Sequence, residues 1–431
     1  MGNVVCIIMG GGRGTRLFPL TKDCCKPAVP LAGKYRLVDI PISNCINSGF
    51  KNIYILTQFN TRSLHTHINN TYKFDTFGGG KIEIFSAEQT SDGIGNWYEG
   101  TADAVRKNLR YFGNNPEDFA VILSGDQLYR MDISKLVQHH IDTFADVTVA
   151  AKAIACSKIS SFGVLRTKND FSIAEFIEKP KDPQFIDTFM LKDALRKRLK
   201  DQTDTPYALA SMGIYVFKMS VLQEALNGQG SDFGHEIIPR LLGKVAIKAY
   251  IFDDYWEDIG TVRSFFETNL MLANSAPEFN FFDTTKPIYT QPKILPAAKI
   301  SASHIHEVLI ADGAIISNAV LRHCVIGERS IIRDHATLEN VLMIGADHFE
   351  GTLEDKIMEN SSKTVRIPQL GIGMHCSIKD CIIDQNARIG DHCVLSPHNK
   401  PSTFDYSEDM YIRDGVLCIG KNAVISDKTI F

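Results

Sequence analysis

Three groups of residues along this chain have the types and spacing to act on phosphate esters. The first is Gly10-Gly11-Gly12-Arg13-Gly14-Thr15-Arg16, with Lys26-Pro27 ten residues after Arg16. Glycines let backbone amides approach a polyphosphate, and Arg13, Arg16 and Lys26 add positive charge around it. The loop is neither a Walker A sequence, lacking a Gly-Lys-Ser/Thr ending, nor a GxGxxG dinucleotide fingerprint. Read alone, it is equally an ordinary tight turn with solvated basic residues. The second group is Asp126, which ends the apolar run Ala120–Ser124, and Asp258 in Tyr255-Trp256-Glu257-Asp258-Ile259-Gly260-Thr261. A carboxylate at the end of a buried strand suits Mg²⁺, which takes one or two carboxylates and fills its remaining positions with phosphate and water. Each aspartate alone also reads as a helix cap or surface turn. The third is Glu178-Lys179-Pro180, either an exposed hairpin end or a cation for a sugar phosphate. Together they form the set that phosphoryl or nucleotidyl transfer needs, with cations offsetting a negative centre during in-line displacement.

Positioning such groups calls for an α/β scaffold. Val4–Met9 is an uninterrupted apolar run and reads as a buried parallel strand that delivers the glycine loop at its carboxyl end. Leu37–Asn47 reads as a helix stopped at Ser48-Gly49, Ile53–Gln58 as a strand, and Ala102–Phe112 as a helix with Thr101 as its N-cap. Val147–Ala151 and Ser211–Phe217 read as further strands, and a helix starts at Val262. Strands alternating with helices over the first two-thirds of the chain predict a Rossmann-like α/β domain with a mainly parallel sheet.

Composition narrows the class of function. The 431 residues suffice for two domains; 44% hydrophobic and 22% charged residues are ordinary for a globular protein. A formal net charge of −4 without long basic runs argues against a nucleic-acid partner, and no apolar stretch is long enough for a membrane span. No charged n-region or cleavage site is visible, so a cytoplasmic location is expected. Ten cysteines without a CxxC pair read as reduced, mostly buried thiols. The pairs His65/His67, His139-His140 and His304/His306 lack partners at metal-ligand spacing.

Longer segments carry a resemblance. GGGRGTRLFPLT, KPAVPLAGKYRLVDIPISNCINSG, TQFN, WYEGTADAVR, LSGDQLYRMD, FGV, EFIEKP, LASMGIYVF, DFGHEIIP and YWEDIGT follow one another in the order found in ADP-glucose pyrophosphorylases of the bacterial and plant type. The chain resembles that family over essentially its whole length. WYEGTADAV, SMGIY and YWEDIGT are the most specific of these segments, whereas the glycine loop is shared by all sugar-phosphate nucleotidyltransferases.

The resemblance implies roles for particular residues. Gly11, Gly12, Arg13, Gly14, Thr15 and Arg16 would hold the ATP phosphates, with Lys26 beside them. Gln58, Gln89, Gly100 and Thr101 would border the adenine pocket, with Tyr98 close to nucleotide and sugar. Asp126 and Asp258 would bind Mg²⁺, with Arg13, Lys26 and Asp126 as the catalytic set. Gly163, Glu178, Lys179 and Ser211 would hold glucose 1-phosphate. ATP and glucose 1-phosphate would then give ADP-glucose and pyrophosphate without a covalent enzyme intermediate. The chain departs from the family at Cys24-Cys25, where Arg-Ala is usual, at Glu88, where a glutamine is common, and at Gln127, where histidine is frequent. Retention of Arg13, Arg16 and Lys26 reads as catalytic rather than regulatory.

The last third repeats. Beyond a proline-punctuated linker, six-residue phrases start at Ile310 and Ile316, resume at Ile326, Ile332, Leu338 and Ile344, and return at Ile372, Ile378 and near Ile419. This is the pattern of a left-handed parallel β-helix; Glu350–Lys363 reads as a charged excursion from the coils. The expected division is a catalytic domain over 1–285, a linker over 286–299 and the β-helix over 300–431. The resemblance implies a homotetramer and an allosteric site for a metabolite effector, with Arg413 and Lys421 where relatives carry activator-binding lysines and Gln385 replacing another. Two alternatives stand beside the adenylyltransferase: a related transferase using UTP, dTTP or GTP, and a non-catalytic regulatory subunit.

Overall fold

The computed structural model describes residues 2–75, 77–87, 97–113, 115–182, 188–191, 206–350, 357–360 and 363–431. Its first part is built on a nine-stranded sheet. The strands are β1 (Val4–Gly10), β2 (Asn52–Thr57), β3 (Lys81–Ser86), β4 (Phe119–Ser124), β5 (Val147–Ala155), β6 (Gly163–Thr167), β7 (Ile173–Glu178), β8 (Tyr207–Lys218) and β9 (Ile247–Ile251). The main path runs β7-β6-β8-β4-β1-β2-β3, with β5 pairing β8 and β9. All strands but β7 and β8 share one direction, so the expected mainly parallel sheet is present.

β1 is the axis of this sheet because both its faces are apolar. Cys6 and Ile8 join the core on one side with Ile53, Ile55, Val121 and Leu123. Val5 and Ile7 join the core on the other with Tyr54, Leu56, Ala120 and Ile122. The alternation is the two-residue period of a strand covered on both faces. Helix α1 (Asp39–Asn47) stops at Ser48, as the sequence predicts, and α2 (Arg62–Thr71) follows β2. The next helix, α3 (Thr101–Asn108), corrects one expectation. Its N-cap is Gly100, with extended backbone, and Thr101 is already helical.

The last helix of this part, α4 (Val262–Met271), starts in a capping box between Thr261 and Ser264. It lies against the second part of the chain: Arg263 Nη2 and Nε donate to Asp414 O at 2.7 and 3.0 Å.

The second part is a solenoid of parallel strands. Val320–Ile326 pairs in register with His304–Ile310 on one side and Thr337–Met343 on the other, and Thr337–Met343 pairs onward with Ser377–Ile383. Ile316, Ile332, Ile372, Ile389 and Ile425 stack through the interior, 5% exposed or less. The corners turn at non-glycine residues with positive φ, among them Asn318, His335, His375 and His392. Asparagine and histidine tolerate that conformation better than most residues. At one corner the His335, His375 and His392 rings stack at 4.8 and 4.9 Å. The expected excursion contains an antiparallel pair, Ile357–Asn360 with Lys363–Arg366. A second irregularity was not foreseen: Met410–Arg413 runs antiparallel to Val416–Ile419 at the end of the stack.

Regular solenoid structure starts at Lys299–Ser301. The segment before it is held along the first part, where Asn47 donates to Pro287 O at 2.9 Å and Tyr289 N to Ser43 Oγ at 2.8 Å. One apolar core continues through the junction, joining Leu17, Leu31, Phe265 and Phe266 to Val325, Leu342, Ile382 and Val416. No helix among the described residues is long and apolar enough to cross a membrane.

Candidate active site

β1 ends at Gly10, and the chain turns through the glycine loop beside the carboxyl ends of β2 and β4. Gly14 has φ +65°, and a side chain there would also press on Thr21 and on the Lys26 Cβ, at 3.1 and 3.2 Å. Glycine is therefore required twice over. Thr21 Oγ1 donates to Gly14 O at 2.8 Å and closes the loop. Arg13, Thr15 and Arg16 are exposed. The Arg13 guanidinium lies 5.0 Å from the Phe59 ring centroid, and Phe59 stacks on Trp97.

Lys26 is only 8% exposed, an unusual position for a lysine, and its Nζ reaches Asp126 Oδ2 at 2.7 Å. Asp126 lies two residues beyond β4, and Ser124 Oγ donates to its other oxygen. Burial pushes the Asp126 carboxyl up, but Lys26, with help from Ser124 and Arg16, more than reverses this and holds it below the usual range.

The second aspartate arrives through a two-stranded antiparallel ladder. Gln127–Tyr129 pairs with Trp256–Asp258, with Gln127 opposite Asp258. Two carboxylates far apart in sequence thus become neighbours. Burial, then the Asp126 charge, pushes the Asp258 carboxyl up to about 6, against the pull of Lys26, Arg16 and Lys179. Gly260 leaves room where Arg16 approaches Asp258: a Cβ there would lie 3.1 Å from Asp258 Oδ2 and 3.6 Å from Arg16 Nη1. The donor set fits a hard divalent cation, since two oxygen-donating carboxylates, one of them resisting ionisation, stand beside exposed arginines able to meet phosphate.

Gly163, Glu178, Lys179 and Ser211, together with Asp258 and Thr101, line one cavity of about 200 Å³. A Cβ at Gly163 would collide with the Glu178 carboxylate, so glycine sets how deep Glu178 sits. Lys179 takes φ +48°, and its half-exposed side chain places Nζ 3.4 Å from Glu178 Oε1. Ser211 Oγ accepts from Gly213 N at 3.2 Å, within a bulge where β8 slips against β5.

On the other side of the glycine loop, Gln58 clasps Tyr98. Its Nε2 donates to Tyr98 O at 3.2 Å and its Oε1 accepts from Tyr98 N; a Cβ at the neighbouring Gly11 would lie 3.7 Å from Gln58 Cβ and 3.9 Å from Tyr98 Cδ2. Asn108 donates to the Tyr98 hydroxyl at 2.9 Å. Gly100 leaves no room for a Cβ beside Ser231 O. Thr101 does not cap α3; its hydroxyl donates to Asp232 Oδ2 and accepts from Phe233 N, both at 3.1 Å. Gly12 has open space around it. Gln89 lies outside the described residues, as does Glu88.

Sequence reasoning missed Ser124 and Asp232 as parts of this site and marked Gln127 only as a departure from the family pattern. Asp232 carried a readable signal, being an N-cap residue whose side chain accepts from His235 N. The role of Gln127 depends on partners more than 80 residues away and had no local signal.

Lys421 lines a cavity of about 100 Å³ between the two parts of the chain, with Cys24, Arg36, Asp384 and Gln385. Burial pushes the Asp384 carboxyl up to about 7, and burial followed by Asp384 pushes the Cys24 thiol up to about 12. Arg413 pairs with Asp405 and lies 5.4 Å from the ring centroids of Phe18 and Tyr411, and Tyr411 also lines that cavity. All ten cysteines are free thiols. Among the described residues, no cluster of three or more His, Cys, Asp or Glu could hold a metal ion.

Two family models match the chain. Residues 5–275 match the one described as nucleotidyl transferase, and residues 293–430 match the one described as the GLGC left-handed parallel beta-helix domain.

Proposed function

The chain belongs to the nucleotidyl transferase family, whose model covers more than half of it, and from that premise we propose that it is a glucose-1-phosphate adenylyltransferase. The substrates in this reading are ATP and glucose 1-phosphate, and the products are ADP-glucose and pyrophosphate. The pairing of this domain with a GLGC-type β-helix supports it. The observation that carries it is the meeting of Lys26, Asp126 and Asp258 between the glycine loop and the Glu178–Lys179 cavity.

In this mechanism the loop amides of Gly11, Gly12 and Gly14, with Thr15, Arg13 and Arg16, hold the triphosphate, and Lys26 offsets charge at the reacting phosphorus. Gln58, Tyr98, Gly100 and Thr101 frame the base, and Gln89 is assigned to the same pocket. Lys179 pairs with the phosphate of glucose 1-phosphate, while Glu178, Ser211 and the Gly163 backbone orient the sugar. A phosphate oxygen of glucose 1-phosphate forms a new bond to the α-phosphorus. The bond from that phosphorus to the bridging oxygen breaks, and pyrophosphate leaves with the electron pair. Both reactants are already anions at neutral pH, so no residue has to take a proton, and the work is positioning and charge neutralisation. Asp126 and Asp258 would hold Mg²⁺, which when bound supplies positive charge to the phosphates.

The wider reading is a chain that supplies glycogen- or starch-type glucan synthesis from the cytoplasm as a homotetramer, under a metabolite effector met by Arg413 and Lys421. It has no nucleic-acid or membrane partner.

The test is pyrophosphate release by the purified chain with glucose 1-phosphate and Mg²⁺, comparing ATP, UTP, dTTP and GTP. Selective turnover with ATP that falls by about 10²–10³ in Asp126→Ala supports the assignment. Preference for another nucleotide overturns the adenylyl assignment and keeps the transferase. No turnover under any condition, effectors included, favours a regulatory subunit.

A further inference from the structure

Gln127 follows Asp126 directly and is 5% exposed. Its Nε2 donates to Met212 O at 2.8 Å, and its Oε1 accepts from Trp256 Nε1 at 3.1 Å. The orientation of the amide is fixed by its partners, because an indole N–H only donates and a carbonyl only accepts. Each partner belongs to a different part of the site. Trp256 opens the short strand that ends at Asp258. Met212 follows Ser211 in the bulge of β8 that forms one wall of the sugar cavity. Gly213, at φ +67°, lies beside the amide within that bulge.

A single buried side chain therefore ties three separate segments, and each carries a group at the site: Asp126, Asp258 and Ser211. We propose that Gln127 is a positioning residue for nucleotidyl transfer, fixing Asp258 and the Ser211 wall relative to Asp126 without touching the reacting atoms. This rests on the proposed function and adds a residue to it. The chemistry required of the position is narrow: one donor and one acceptor at the end of a medium-length side chain, in a buried site. A carboxylate accepts from Trp256 but cannot donate to Met212, and a thioether does neither well. A neutral imidazole can do both. Deleting the amide leaves a buried indole N–H and a buried carbonyl unpaired, which loosens the two strands against each other.

The test uses Gln127→Met, Gln127→Glu and Gln127→His in the full chain carrying Trp97→Phe. The chain has two tryptophans, so Trp256 is then the only indole. Trp256 fluorescence reports its hydrogen bond without reference to activity. Calorimetry gives the affinity for glucose 1-phosphate, and steady-state assays give the half-saturating Mg²⁺ and the KM for ATP. Gln127→Met should shift Trp256 emission to the blue, weaken glucose 1-phosphate and raise half-saturating Mg²⁺ by about tenfold each, and leave the ATP KM within about twofold. Gln127→His should restore all of these. Gln127→Glu should weaken the sugar phosphate while keeping the Trp256 emission. If Gln127→Met does not fold, a Gln127→His variant that binds like the parent beside a Gln127→Glu variant that does not serves as the supporting result.

The proposal is overturned if Trp256 emission shifts while neither the sugar-phosphate nor the Mg²⁺ constant moves, since the amide would then only stabilise the fold. It is also overturned if the ATP KM rises in step with the others, or if histidine fails to restore them. A parent that neither binds glucose 1-phosphate nor releases pyrophosphate brings down the proposed function, and this proposal with it. A working parent with unmoved constants brings down this proposal alone.

Discussion

Asp126 and Asp258 have the same side chain and opposite electrostatic fates. The difference is Lys26, which reaches Asp126 directly at 2.7 Å and acts on Asp258 only through space. Burial and the Asp126 charge push the Asp258 carboxyl up from its ordinary value of 3.8 to about 6 in the fold. Between those values the unfolded chain has released a proton that the folded chain retains. Stability therefore falls as pH rises through that window, and the loss is complete above it. In Mg²⁺-free buffer at pH 8, Asp258→Asn should stabilise the protein by on the order of 2 kcal/mol, with little difference near pH 4. Melting curves at the two pH values test this, and an asparagine variant that melts no higher at pH 8 refutes it. The same variant should lose pyrophosphate release, separating stability from activity. Residue types at this scale were readable in advance. Glycines before arginines, an aspartate after an apolar run and a lysine before proline close behind the glycine loop all carry local signals. The burial of Lys26 and the ionisation of Asp258 were not readable, because both depend on neighbours that only the fold supplies.

Among the elements, β6 and β7 meet the Glu178–Lys179 cavity through a contact that allows no side chain at Gly163. Gly163→Ala should push Glu178 out of place and raise the KM for glucose 1-phosphate by roughly tenfold, leaving the ATP KM near its original value. An equal rise in both constants would show that the substitution disturbs the sheet rather than the cavity. Helix α4 offers a structural counterpart. Thr261→Ala removes a capping-box hydroxyl and should cost about 1 kcal/mol by denaturant titration. Strand and helix positions were legible here because apolar runs and cap residues act over a few residues. The capping role of Thr101 was misread, since a hydroxyl before a helix satisfies the same pattern whether it caps that helix or bonds to a distant aspartate. In the solenoid, the aliphatic six-residue period was legible. Its left-handed corners fall on Asn318, His335, His375 and His392, a signal that an aliphatic period does not contain.

At the scale of the molecule, the two parts share one core rather than meeting across a wet seam. Val325, Leu342 and Ile382 of the solenoid are buried with Leu31 and Phe265. Thermal unfolding followed by calorimetry should accordingly show one cooperative transition, and Leu342→Ala should lower it by about 2–5 kcal/mol. Two resolved transitions, with only the later one sensitive to Leu342, would show that the parts unfold independently. This continuity was not legible from a linker rich in proline, because composition marks where a chain lacks regular structure and says nothing of what it leans on. The ladder that joins Gln127 to Trp256 has a temporal consequence. Its two strands are separated by 129 positions along the chain, and closing so long a span is slow compared with forming local turns. During synthesis the glycine loop, Lys26 and Asp126 leave the ribosome well before Asp258 does. A nascent chain can hold much of its glycine loop while lacking half of its carboxylate pair, so under the proposed mechanism competence begins only when the second strand of the ladder has emerged and docked.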